Sequence, residues 1–106
     1  MTEKQLGQLR PTNTNATSVY SPSGVTGIIK TIIVCNVGSG TIKYSIYLDD
    51  DGTTYTEATA ISFDVSLTTE NTTFIQTYIP LSASGNIAFK TDTANDATIT
   101  ILGAEI

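Results

Sequence analysis

The clearest period-2 pattern in the chain is Ile42-Lys43-Tyr44-Ser45-Ile46-Tyr47-Leu48. Successive side chains of an extended strand point to opposite faces, so the even-numbered and odd-numbered positions of this stretch lie on different sides. The even positions are all apolar, whereas the odd positions include a lysine and a serine. This pattern is typical of a strand with one face against the core and the other toward solvent.

The same alternation recurs along the chain. Apolar side chains occupy the odd positions of residues 61–67, and shorter runs occur at 75–81, 87–89 and 97–101. A helical period persists nowhere. The segment Ile28–Val37 differs because both of its alternating faces carry large aliphatic side chains. It predicts a central strand covered on both sides, or a strand whose outer face is buried against another subunit.

Turn-forming sequences separate these runs at short intervals. They are Ser21-Pro22-Ser23-Gly24, Gly38-Ser39-Gly40, Asp49-Asp50-Asp51-Gly52, Ser82-Ala83-Ser84-Gly85 and Asp92-Thr93-Ala94-Asn95-Asp96. About seven or eight short strands at this spacing predict an all-β fold, a single antiparallel β-sandwich that resembles a jelly roll. Residues 25–49 also predict a hairpin that turns at the Gly-Ser-Gly sequence.

The first residues are polar and show little periodicity. We therefore predict an extended N-terminal arm at residues 1–17 and the β-sandwich domain at residues 18–106. Leu6 and Leu9 are candidates for anchoring the arm to a neighbouring subunit. A disordered terminus is an equal alternative.

Composition and charge limit the classes of partner. The net charge of −5 predicts repulsion from phosphate backbones, so we expect no nucleic-acid partner. Only 14% of the residues are charged, and about a fifth are Thr, which suits strands. No run reaches the roughly 20 apolar residues that span a bilayer, and the N-terminus lacks the apolar core of a signal peptide. We expect no membrane partner and synthesis in a cytoplasm.

The sequence offers few residues for catalysis. It contains no His, which excludes Ser-His-Asp and Cys-His arrangements and any histidine-ligated metal. The single cysteine, Cys35, follows three aliphatic residues, and this predicts a buried thiol. The acidic run 49–51 lacks the alternating ligands of a calcium loop and predicts a solvent-facing turn. We expect no catalytic residue, no cofactor, no metal and no enzymatic activity.

Two groups of residues are candidates for contacts with other molecules. If the outer face of the long apolar strand is an interface, Ile28, Ile32 and Val34 are its candidates, and Ile33 and Cys35 form the alternative set.

The second group is Tyr47 and Tyr55. A tyrosine packs its ring while its hydroxyl finds a polar partner, so both rings suit a subunit interface. Stacking against a sugar is the alternative, although the chain has no Trp, the side chain best suited to it.

Four segments carry a family resemblance: Gln8-Leu9-Arg10-Pro11, Tyr20-Ser21-Pro22, Ile28–Asn36 and Tyr47–Tyr55. Together they resemble a recurring set in small virion structural proteins of tailed bacteriophages. The resemblance implies a virion structural protein and does not distinguish a capsid decoration protein from a tail or fibre protein. The small size, the lack of catalytic residues and the two apolar faces of Ile28–Val37 lead us to expect the decoration or cement type, which binds the major capsid protein and stabilises the shell. The resemblance implies no active-site residues.

The expected partners belong to the same decoration-protein hypothesis. They are further copies of the chain in a homo-oligomer, for example a homotrimer, and the major capsid protein or other virion proteins. The expected location is the virion, assembled in the host cytoplasm. Two alternatives stay open: a tail, fibre or adaptor subunit of the virion, and a carbohydrate-binding module with a surface glycan as its partner.

Overall fold

Eight strands and one short 3-10 turn form the regular structure within the described part of the chain. The computed structural model describes residues 2–106. In chain order the elements are β1 (Thr2–Leu9), β2 (Thr17–Tyr20), β3 (Gly27–Asn36), β4 (Ile42–Asp49), the 3-10 turn (Glu57–Thr59), β5 (Ala60–Leu67), β6 (Thr72–Leu81), β7 (Asn86–Thr91) and β8 (Ala97–Glu105). Over residues 2–106, no helix has both the length and the apolar character needed to cross a membrane.

The strands form two antiparallel sheets of four strands each. Sheet 1 has the order β1-β8-β3-β6, and sheet 2 has the order β2-β7-β4-β5. The pairs β1/β8, β2/β7, β3/β6 and β4/β5 are nested, as if one long hairpin had been rolled up. This nesting produces the eight-stranded jelly roll. The predicted all-β antiparallel sandwich is confirmed.

Side chains from both sheets meet in one core. Sheet 1 contributes Ile29, Ile32, Val34, Ile99 and Ile101, and sheet 2 contributes Ile42, Tyr44, Ile46, Ile87 and Phe89. The rings of Tyr44 and Phe89 lie with their centroids 6.0 Å apart. Burying each such side chain contributes about 1.5–3 kcal/mol, so the alternating apolar positions supply the main stabilisation.

The Gly38-Ser39-Gly40 connection joins the two sheets. β3 lies in sheet 1 and β4 in sheet 2, so the predicted hairpin is wrong. Asn36, buried at the end of β3, donates from its side-chain amide to the carbonyl oxygens of Gly40 at 2.9 Å and Leu67 at 3.0 Å. Its Oδ1 accepts from the Gly38 amide at 2.9 Å. These bonds hold the corner where the chain crosses the roughly 10 Å between sheets.

The segment predicted as an arm is largely part of the sandwich. Thr2–Leu9 is extended but pairs with β8 as the edge strand of sheet 1, so the sandwich begins at β1 and not at residue 18. Arg10 and Pro11 then anchor the chain, because Arg10 Nε donates to the Asn95 carbonyl oxygen at 2.8 Å and the Pro11 carbonyl oxygen accepts from the Asn95 amide at 2.8 Å. Met1 lies outside the described residues.

β5 does not bury the apolar face that its alternation predicts. Leu67 is buried, but Ile61, Phe63 and Val65 are 46%, 47% and 37% exposed. The pairing of β5 with β4 shifts register twice, and Asp64 has a φ of +49°. Such bulges rotate side chains away from their regular direction, and hydrophobic alternation alone does not reveal them.

Candidate assembly surface

The two alternating sets of β3 lie in different places. Ile32 and Val34 are fully buried between the sheets, so they serve the core and are not available to an interface. The alternative set, Ile33 and Cys35, is half-buried on the outer face of sheet 1. The thiol of Cys35 is therefore less buried than the sequence suggested. Ile28 is buried as well.

Leu6 and Leu9 are already used within the fold. Both are half-buried and pack against the core from the edge strand β1. Between them, Gly7 lies so close to β2 that an added Cβ would be 2.6 Å from the carbonyl oxygen of Val19. At the edge formed by β1 and β2, the two strands therefore pack directly against each other.

The two candidate tyrosines pack against each other. Tyr47 is only 3% exposed, and its ring centroid lies 6.2 Å from that of Tyr55 in the connection between β4 and β5. This contact shields Tyr47 on the outer side of sheet 2. Tyr47 is therefore not an exposed stacking platform, whereas half-buried Tyr55 keeps part of its ring accessible.

The acidic turn after β4 is held by its own carboxylates. Asp49 Oδ2 accepts from the backbone amides of Thr53 and Thr54, each at 2.8 Å. Asp51 Oδ1 accepts from the Thr53 amide at 3.1 Å and its hydroxyl at 2.7 Å. The Thr54 amide is the largest cause that lowers the pKa of Asp49 below its ordinary value, because it stabilises the ionised carboxylate. These contacts give the acidic cluster a structural role in the turn.

A charged network closes the edge where β1, β2 and β8 meet. The Tyr20 hydroxyl donates to Glu105 Oε2 at 2.7 Å, and Lys4 Nζ lies 2.5 Å from Glu105 Oε1. The pKa of Glu105 is lowered because Lys4, the larger cause, and Tyr20 stabilise its ionised form. The pKa of Tyr20 is raised, chiefly because the residue is buried. The ring of Tyr20 packs on Gly27, where an added Cβ would lie 2.5 Å from the hydroxyl oxygen.

The opposite edge of the sandwich is apolar. Five of the seven large apolar side chains that the described residues expose lie on β5 and β6; they are Ile61, Phe63, Val65, Phe74 and Tyr78, which we call the apolar edge. Phe74 is 63% exposed and Tyr78 is 66% exposed. β5 and β6 are consecutive strands, and each is the last strand of its sheet. All five side chains therefore belong to the strands at one edge of the sandwich, with Phe74 on the outer face of sheet 1 opposite Ile33.

The apolar edge continues toward the core and onto sheet 1. The inward side chains of Thr73, Ile75, Thr77 and Ile79 on β6 are only half-buried. On the outer face, Phe74 stands opposite the half-buried Ile33 of β3. Sequence analysis missed this surface, although Phe74 and Tyr78 stand out as aromatic residues on the alternation expected to be polar. Alternation does not show which strand lies at an edge.

A shallow cleft lies beside Tyr55. Its volume is about 550 Å³, and it is lined by Thr14, Asn15, Ala16, Tyr55, Lys90, Thr91 and Asp92. The lining brings one aromatic ring, one cation, one carboxylate and several hydrogen-bonding groups together. This is a combination that can bind a polar ligand with an apolar face.

Comparisons with models of protein families, with curated proteins and with solved structures found no significant match.

Proposed function

We propose that this protein is a structural subunit of a tailed-bacteriophage virion, of the decoration or cement type. It binds the outside of the shell formed by the major capsid protein and stabilises it. The observation that carries the proposal is the apolar edge. Its five exposed apolar side chains lie on the two strands that end the sheets at one edge of the sandwich, and covering apolar surface with a partner is favourable by about 25 cal/mol per Å².

The fold does not need these side chains for its own core. Phe74 and Tyr78 point away from the sheet interface, and the core is filled by other residues. Their apolar area stabilises a structure only where a second chain covers it. A shell subunit, held by many small contacts with its neighbours, uses such a surface.

The choice of a virion follows the resemblance of the four segments in the first half of the chain. Within the proposal the protein is a homo-oligomer, is located in the virion after assembly in the host cytoplasm, and has no enzymatic activity. Two carboxylates have structural roles that agree with this, because Asp49 holds a turn and Glu105 holds an edge network.

The proposal is tested by mixing the purified protein with capsid shells that lack it and sedimenting the shells. The wild type should cosediment. Phe63→Lys should lose most of the binding, because it places a charge in the apolar edge. Ser66→Lys adds the same charge at another exposed position of β5 and should still bind.

Three results would count against the proposal. Wild-type protein that never binds shells removes the decoration role. Binding to tails or fibres alone favours the tail, fibre or adaptor alternative. Equal binding by both lysine variants removes the apolar edge as the contact surface.

A second candidate function, carbohydrate binding, is favoured by the cleft beside Tyr55. A sugar ring stacked on Tyr55 would have Lys90, Asp92 and Asn15 within the same lining for its hydroxyl groups. On a glycan array this candidate predicts selective binding that Tyr55→Ala abolishes. The control Tyr78→Ala removes an exposed tyrosine that does not line the cleft and should bind normally; no selective binding by the wild type rejects the candidate.

A further inference from the structure

The four edge strands of the two sheets differ in how they deter pairing with another chain. The edge strand β1 carries Glu3 and Lys4 and shifts register before Gly7. The edge strand β2 has only four residues, and β5 has two register shifts and Asp64. Charges, bulges and short length are the devices that prevent a sheet edge from adding a further strand.

β6 lacks most of these devices. It has ten residues and no charged side chain, and its outer edge faces no other strand among the described residues. Pro80 removes one amide near its end, which leaves Thr72–Ile79 with free backbone groups along the edge. A partner strand that adds here meets no like charge, although the whole chain carries a net charge of −5.

The sequence of β6 is complementary to itself in one antiparallel register. Its exposed side chains are the even-numbered ones from residue 72 to residue 80. When two copies of β6 pair about a two-fold axis at Gln76, Phe74 of each copy stands opposite Tyr78 of the other copy. The pairing therefore contains two aromatic pairs. Aromatic cross-strand pairs are among the favourable pairs in antiparallel sheets. Centring the axis on Ile75 or Thr77 loses both aromatic pairs.

We propose that β6 pairs with β6 of a second copy of this chain in that register, which joins the two copies of sheet 1 into one continuous eight-stranded sheet. The contact is isologous, so it closes with two copies. The inference rests on the proposed function only in that the chain acts through contacts between subunits. It names the surface and the partner of one such contact.

The exposed aromatic rings of β6 supply about half of the area that a two-copy interface needs. An aromatic side chain has roughly 150–250 Å² of surface, so the exposed parts of Phe74 and Tyr78 offer roughly 250 Å² per copy and roughly 500 Å² for two copies. A specific interface buries about 1,000 Å² or more in total. Thr72, Gln76 and Pro80, the other exposed side chains of β6, lie on the same face as the two rings and are covered with them.

Disulfide cross-linking tests the register directly. On the two-fold axis Gln76 opposes itself, and opposed Cα atoms in an antiparallel pair lie about 4.5–5.5 Å apart, which is within the span of a disulfide. We expect Gln76→Cys, made in a Cys35→Ser chain, to form a covalent dimer under mild oxidation. Thr72→Cys in the same chain is the control, because it opposes Pro80 and lies roughly 27 Å from its own copy.

The wild type should have the mass of two copies by light scattering, and Phe74→Lys should have the mass of one. Any of three results overturns the inference: a monomeric wild type, equal cross-linking of both cysteine variants, or a three-copy mass without cross-linking at residue 76. Circular dichroism confirms that each variant is folded. Shell binding that persists without the cross-link rejects only the pairing of β6, whereas a cross-linked dimer that never binds shells rejects only the proposed function.

Discussion

Two neighbouring lysine substitutions on β3 should have opposite outcomes. Ile32 is fully buried, so Ile32→Lys loses about 1.5–3 kcal/mol of apolar burial and adds a desolvation cost of several kcal/mol for the ammonium group. The sum, about 6 kcal/mol or more, is comparable with the whole stability of a small domain, about 5–15 kcal/mol. Ile33 is half-buried on the outer face, where a lysine keeps its charge in water and its stem on the sheet. Ile33→Lys should therefore cost about 1 kcal/mol or less.

The assay is urea denaturation followed by circular dichroism. Ile32→Lys should be unfolded or nearly so without denaturant, whereas Ile33→Lys should unfold cooperatively with a midpoint close to that of the wild type. Because a one-residue slip exchanges the two faces of a strand, the pair reports the register of β3. Similar destabilisation by both substitutions, or a larger effect at residue 33, would refute the assignment of faces.

Substitutions at three further local contacts are tested by the same denaturation assay. Asn36→Ala should destabilise the fold by roughly 2–3 kcal/mol, because it leaves buried backbone groups at the corner without a partner; an unchanged midpoint would show that the corner does not depend on this side chain. Gly103→Ala should cost about 3 kcal/mol, since the new Cβ would collide with the carbonyl oxygen of Ile28, whereas Gly40→Ala, where the space is open, should be nearly neutral. Tyr20→Phe removes the donor that helps to lower the pKa of Glu105. The stabilisation from that carboxylate is present above its ordinary pKa of 4.5 and is lost as the pH falls through the lowered value. The acid-induced loss of stability should therefore be smaller in Tyr20→Phe than in the wild type, and identical pH profiles would contradict the assigned role of the bond.

Local alternation predicted the strands well because it reflects a physical requirement that acts within a few residues. The even positions of Ile42–Leu48 face the core as expected, with Leu48 only half-buried. The same alternation does not predict which strands pair with each other. The Gly38-Ser39-Gly40 turn predicts a hairpin, but it is a crossing between sheets, because β3 pairs with β6 and β8 whereas β4 pairs with β5 and β7.

The candidate surface was less predictable than the fold. Ile32 and Val34 and the alternative set were indistinguishable in sequence, because both alternations of β3 are aliphatic. Tyr47 occupies a polar alternation, yet its contact with Tyr55 buries it. The exposure of Phe63 depends on a bulge, and that of Phe74 on the position of β6 at a sheet edge. Both are properties of the assembled sheets, which no short window of sequence contains.

An image by electron cryomicroscopy of virions that contain this protein tests the central claim most directly. We expect density for the eight-stranded sandwich on the outer surface of the head, with β5 and β6 covered by a neighbouring chain. Density in which that edge faces solvent on every copy, or a virion without the protein, would contradict the account.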